Sequence, residues 1–141
     1  MKLVIKQSYI PEVIEFIFNI SLKGKQSRHR TRFIKLLQEK WKLVCEEEVI
    51  LLKEYADLDE SGQPQKKENG DFIVKDVNGF KKQQNLLLDE HFIINGEDYN
   101  GMLTTLKEIV FSFDEEVSGK KAMVFDYLCE AFENVDQGNE A

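Results

Sequence analysis

Residues 27–56 read SRHRTRFIKLLQEKWKLVCEEEVILLKEYA, and the fold turns on that run. Phe33, Leu36, Leu37, Trp41, Val44, Cys45, Ile50, Leu51 and Tyr55 recur at close to the helical period, which predicts one amphipathic helix from Ser27 to Ala56 with an apolar stripe turned to a core. No glycine or proline interrupts it. At the usual rise such a helix is about 45 Å long and should be the longest element. Trp41 lies in register with Phe33, Leu37 and Val44 and is expected in the core.

Outward from this helix the remaining elements follow. On the N-terminal side, Lys2–Gln7 (KLVIKQ) alternates as a short strand does, and Pro11 suits the first turn of a helix carrying Val13, Ile14, Ile17 and Ile20 on one face. Lys23-Gly24 ends that pattern. On the C-terminal side a polar connection contains the turn dipeptides Ser61-Gly62 and Asn69-Gly70, with Phe72–Lys75 as a strand candidate between turns. Phe80–Glu90 reads as a helix, and HFII at 91–94 as a buried strand able to pair with the first. Two further helices, Met102–Phe113 and Ser118–Asn134, complete the chain, the second with Ser118 as its N-cap. The expected class is α+β, mainly α: a single globular domain over 1–134, with 135–141 a disordered tail and no internal repeat. In it the long helix packs antiparallel along Phe80–Glu90, and the hairpin-like connection projects at one end.

A chain of 141 residues with 42% hydrophobic and 32% charged residues can bury a core without disulfides or metal. Cys45 and Cys129 lie in apolar helical patterns, so two buried free thiols in a reducing compartment are expected. No basic-then-apolar leader and no long apolar run is present, which points to a cytoplasmic protein without membrane contact. The net charge of −7 conceals an asymmetry: Met1–Lys42 carries ten Lys/Arg against three Asp/Glu, whereas Leu43–Ala141 carries nine against twenty-three.

Two stretches hold candidate sites. Lys23–Lys35 contains six Lys/Arg plus His29, and no acidic residue occurs between Glu15 and Glu39. Positive charge at the start of a helix opposes its dipole, so helix stability does not account for it. Arg28, Arg32 and Lys35, flanked by Arg30, fall on one face and could grip a carboxylate-rich partner, another copy of the chain or phosphates. An ion-pair network within the monomer is the simpler use of the same charges. A protein partner or self-association is favoured over nucleic acid, because the total is acidic and no recognition motif or interleaved aromatics accompany the run.

The second stretch, Asp57–Glu68 (DLDESGQPQKKE), places Asp57, Asp59, Ser61 and Glu68 at the oxygen-ligand positions of a calcium-binding EF-hand loop, with Gly62 at the turn position. Pro64 lacks the N–H that such a loop needs, no helix follows Glu68, and no second loop is present. A polar turn is therefore expected there, and no metal or cofactor. Catalytic motifs are absent. Asp89, Glu90 and His91 adjoin one another but diverge on a strand, and DEEVSGKK reads as a charged helix start. The chain is accordingly expected not to be an enzyme.

The run LKGKQSRHRTRFIKLLQEKWKLVCEEEVILLKEYADLDESGQP, followed by FIVKD and by SGKKAMVFDYLCEAFE, resembles a family of small proteins encoded by bacteriophages and prophages of Gram-positive bacteria, a phage domain of unknown function. The resemblance spans about Lys2 to Glu133 and rests on the SRxRTRF segment at Ser27–Phe33, the acidic turn with Ser61-Gly62 and Pro64, and the ending Asp126–Glu133. It implies a phage protein acting in the cytoplasm of an infected or lysogenic host, and carries no active-site residue. The expected role is a non-enzymatic interaction protein, either a virion-assembly accessory or a binder of a host or defence protein. The alternative is a nucleic-acid-binding regulator using segment 23–35.

Overall fold

The computed structural model describes residues 1–136. Its elements are β1 (Lys2–Lys6), α1 (Ile10–Phe18), α2 (Gly24–Tyr55), α3 (Val77–Asp89), β2 (His91–Asn95), α4 (Glu97–Ser112) and α5 (Gly119–Glu133), with a 3-10 turn at Gln7–Tyr9. The fold is α+β and mainly α.

The two strands pair antiparallel, Leu3 opposite Ile94 and Val4 opposite Ile93. Leu3, Ile5 and Ile94 point to the core and are buried, whereas Ile93, one residue out of phase, is about half exposed. The pairing expected for HFII is therefore formed but its full burial is not, because helices cover only one face of a two-stranded sheet. Just past β1, Gln7 is buried: its amide donates to the Leu87 carbonyl at 2.7 Å and its backbone N–H to the Glu90 carbonyl at 2.8 Å. These bonds serve carbonyls at the C-terminal end of α3, where the Leu87 carbonyl otherwise has only a long 3.3 Å bond from the Glu90 N–H.

The long helix has 32 residues, about 48 Å of rod. Its buried residues are Phe33, Ile34, Leu37 and Val44. The first half of α2 packs between α1 and α4, and Phe33 meets Phe132 of α5 edge-on at 6.4 Å. After Val44 no residue of α2 is buried. That second half is held by α3, which runs back along it: Gln84 Nε2 donates to Glu48 Oε2 at 3.3 Å and the Tyr55 and Phe80 rings lie 6.4 Å apart. The two helices pack antiparallel, as expected, and form an arm on the core. Helix α3 begins at Val77 because the Asp76 carboxylate caps it, accepting from the Gly79 N–H at 3.0 Å.

Three expectations need correction. Trp41 packs against the core but is only half-buried, since the buried ridge of α2 passes beside it. Cys45 is exposed and Cys129 half-buried, both free. Burial pushes both thiols up, assisted by Glu48 at Cys45 and by Glu133 and Asp126 at Cys129, the reverse of what a nucleophilic cysteine needs. The packed chain also runs past residue 134. Val135 is fully buried and Asp136 pairs with Lys107 at 2.8 Å, while 137–141 lie outside the described residues.

The connection at the tip of the arm also departs from its reading. No strand forms at Phe72–Lys75; instead isolated antiparallel bridges join Ala56 to Val74, Leu58 to Pro64 and Lys66 to Phe72. Three short segments each pair with both others, and bridge positions recur at eight-residue spacing, a repeat not apparent from the residue identities. Gly62 and Gly70, at φ 81° and 90°, close the two tight turns by donating to the Asp59 and Lys67 carbonyls. Pro64 is accommodated because its ladder bonds are made by neighbours, Asp59 N–H to Gln63 and Gln65 N–H to Asp57.

These burial differences set an order of stability effects. Phe33→Ala is expected to cost about 3–5 kcal/mol and Trp41→Ala about 2 kcal/mol. Urea denaturation of both variants tests this, and equal losses would contradict the placement of the ridge.

Candidate functional site

The basic segment opens α2, where α1, ending at Phe18, and the turn through Ile20 lie against it. Gly24, at φ 60°, lets the chain reverse from that turn into the new helix. From here successive side chains split by helical phase into those the fold consumes and those it leaves in solvent.

Arg30 and His29 are consumed. Arg30 Nη1 donates to the carbonyls of Ile17 at 2.9 Å, Phe18 at 3.3 Å and Ile20 at 2.6 Å. Those carbonyls close α1 and the turn after it, where helical partners run out and the dipole is negative, so a guanidinium is matched to them in hydrogen bonding and charge. Arg30 is half-buried by this role and does not belong to the exposed face in which the sequence reading placed it. His29 Nδ1 is hydrogen-bonded to Thr105 Oγ1 of α4 at 2.8 Å. Burial first, and then the positive charges of Arg32, Lys25 and Arg28, hold its pKa below the ordinary value. It is neutral at pH 7 and adds no charge to the segment.

Arg28, Arg32 and Lys35 are left in solvent. Their i, i+4, i+7 spacing sets three cations along one side of the helix. Among the described residues the ion pairs are Lys6–Asp89, Lys75–Asp57, Lys107–Asp136 and Lys120–Glu12. None uses these three cations. The intramolecular network that would account for them most simply is therefore not formed among the described residues.

The same side of α2 continues through Glu39, Leu43, Glu46, Ile50 and Glu54, all exposed. Leu43 is 52% and Ile50 59% exposed, and Leu86 of α3, at 54%, lies beside Ile50. Ile50, Leu51, Leu86 and Leu87 line a shallow groove between α2 and α3 rimmed by Glu47 and Glu90. Sequence reasoning assigned Ile50 and Leu51 to the core stripe and did not single out this surface. The signal was present in the separate seven-residue recurrence of Leu36, Leu43 and Ile50, offset from the buried ridge.

The calcium-loop residues are scattered by the meander. Asp59 Oδ1 is occupied by three local donors, the Ser61 N–H at 2.9 Å, the Ser61 hydroxyl at 2.7 Å and the Gln63 N–H at 2.9 Å. The Ser61 hydroxyl first, then the Gln63 amide, holds the Asp59 carboxyl below its usual range. Asp57 pairs with Lys75 at 3.3 Å, and Glu68 sits in the second turn, exposed. The loop does not fold as an EF-hand, and no cluster of three or more His, Cys, Asp or Glu suited to a metal occurs among the described residues. Asp89 is paired with Lys6 at 3.0 Å rather than joined to His91. No described helix is long and apolar enough to cross a membrane.

Arg30 and its exposed neighbours should respond differently to mutation. Arg30→Ala is expected to cost about 2 kcal/mol, the range of charge-assisted hydrogen bonds, and Arg30→Lys to recover only part of it. Arg28→Ala and Arg32→Ala should stay within about 0.5 kcal/mol of the parent. Thermal melts of the four variants distinguish this from a segment that is wholly surface or wholly structural. Comparison of the chain with protein-family models, curated proteins and solved structures finds no match.

Proposed function

We propose that this chain is a non-enzymatic interaction protein whose basic face, Arg28, Arg32 and Lys35, docks on an acidic protein surface. The observation that carries this reading is that three exposed cations line one side of the first half of a long helix with no ion pair of their own among the described residues. Exposed ion pairs contribute only about 0–1 kcal/mol each to a fold. Their contribution to an encounter is larger in rate and specificity, because a patch of one sign steers and registers an oppositely charged partner. The Ser27–Phe33 and Asp126–Glu133 motifs, through the family they resemble, support a phage or prophage protein working in the host cytoplasm. An accessory of virion assembly or a binder of a host or defence protein fits such a surface.

Replacing Arg28, Arg32 and Lys35 by glutamine tests the reading. The triple variant is expected to keep the parental Tm and to lose at least tenfold in affinity for the partner co-purified from phage-infected cells and then measured with both proteins pure. The parental complex should weaken as salt shortens screening to about 8 Å. A variant that binds as the parent does, or that unfolds, would overturn the assignment. Binding of the parent to plain duplex DNA, with a steep fall in affinity as salt rises, would instead favour a nucleic-acid-binding regulator.

A further inference from the structure

The exposed side of α2 is one stripe with its charge sorted by position. Arg28 and Arg32 occupy its first part; Glu39, Leu43, Glu46, Ile50 and Glu54 occupy the rest, with Leu36 half-buried between them. Spacings of three and four residues keep all eight within a narrow sector of the helix. Two of the exposed apolar side chains lie in that sector, Leu43 and Ile50, and Leu86 extends the patch onto α3. The stripe has cations at its start, Leu43 between two glutamates at its middle and Glu54 at its far end, so reversal about Leu43 brings Arg32 to Glu54 and Leu36 to Ile50.

We propose that a second copy of this chain covers the stripe, with α2 packed antiparallel against α2 about a two-fold axis at Leu43. This rests on the reading of the basic face as a docking surface and names its partner. Reversal about Leu43 sets Leu43 against its own symmetry mate and Leu36 against Ile50 and Leu86 of the second copy. Arg32 faces Glu54 of the second copy. Each contact occurs twice, as an isologous interface requires. A parallel pairing would set Arg28, Arg32 and Lys35 against themselves and is excluded by their charge. The overlap from Arg32 to Glu54 is about 33 Å of helix, and Glu39 comes near Glu46 of the second copy, a like-charged approach. A narrow contact with that repulsion makes a reversible dimer, at the small end of specific interfaces.

Charge reversal distinguishes this dimer from every other use of the stripe. Arg32 and Glu54 are exposed, so Arg32→Glu and Glu54→Arg should each fold with parental circular dichroism and Tm. In sedimentation equilibrium at low salt the parent is expected to pass from monomer to dimer across the micromolar range. Each single variant, with like charges facing at both symmetry-related positions, should dimerise at least tenfold more weakly. An equimolar mixture of the Arg32→Glu and Glu54→Arg variants should dimerise again, since unlike charges then face each other at both positions. A parent that stays monomeric throughout overturns the proposal, and leaves the basic face to another protein. Single variants that dimerise like the parent, or a mixture that fails to recover, also overturn it. Retention of all partner binding by the Arg28/Arg32/Lys35 glutamine variant would overturn the underlying reading instead.

Discussion

The fold depends on the ridge of α2 formed by Phe33, Ile34, Leu37 and Val44. These four buried side chains fix the rotation of a 32-residue helix: Phe33, Ile34 and Leu37 share one cluster with Phe132, Leu103 and Leu106, and Val44 is buried beyond it. Once that rotation is set, everything opposite the ridge is committed to solvent. Arg28, Arg32 and Lys35 are exposed for this reason, and Arg30, about 160° away from Arg32 by helical phase, is turned to the end of α1. The ridge also stops at Val44, so the last three turns of α2 rest on α3 and on the meander, whose Lys75 N–H donates to the Tyr55 carbonyl at 2.9 Å. The arm and its uncovered apolar side chains are a consequence of where four core residues end.

The positions of the helices were legible because helical periodicity is a property of many residues at once, and small errors in phase do not erase it. The long helix, its antiparallel return through α3 and the pairing of β1 with HFII could all be read from such patterns. What could not be read depends on neighbours remote in sequence. Trp41 and Cys45 fit the apolar spacing, yet the core covers Trp41 only in part and leaves Cys45 exposed. Arg30 looks like any other cation in its run until the carbonyls of Ile17, Phe18 and Ile20 are brought to it. The meander hid its eight-residue repeat because the repeat lies in backbone bonding and in two glycine turns, not in matching side chains. Its Asp, Ser and Glu residues imitate a cation loop since tight turns and oxygen ligands call on the same residue types.

Within one helix basic residues precede and acidic residues follow. Arg30 serves the C-terminal end of a neighbouring helix, while Arg28, Arg32 and Lys35 face outward. A surface of this kind gains little as a set of isolated ion pairs in water, but it discriminates strongly on orientation, because only one direction of approach aligns unlike charges along the rod. The groove with Leu86 and Leu87 adds apolar area at the acidic end.

Amide hydrogen exchange along α2 tests most directly whether this helix is divided at Val44 into a core half and an uncovered arm. In dilute protein, amides from Phe33 to Val44 should exchange only through global unfolding, while those from Glu46 to Tyr55 exchange through cheaper local opening. In concentrated protein the Glu46–Glu54 amides should slow, with the Asp57–Lys75 meander unchanged. Uniform protection along the whole helix at every concentration would contradict both the division and the covering of the arm.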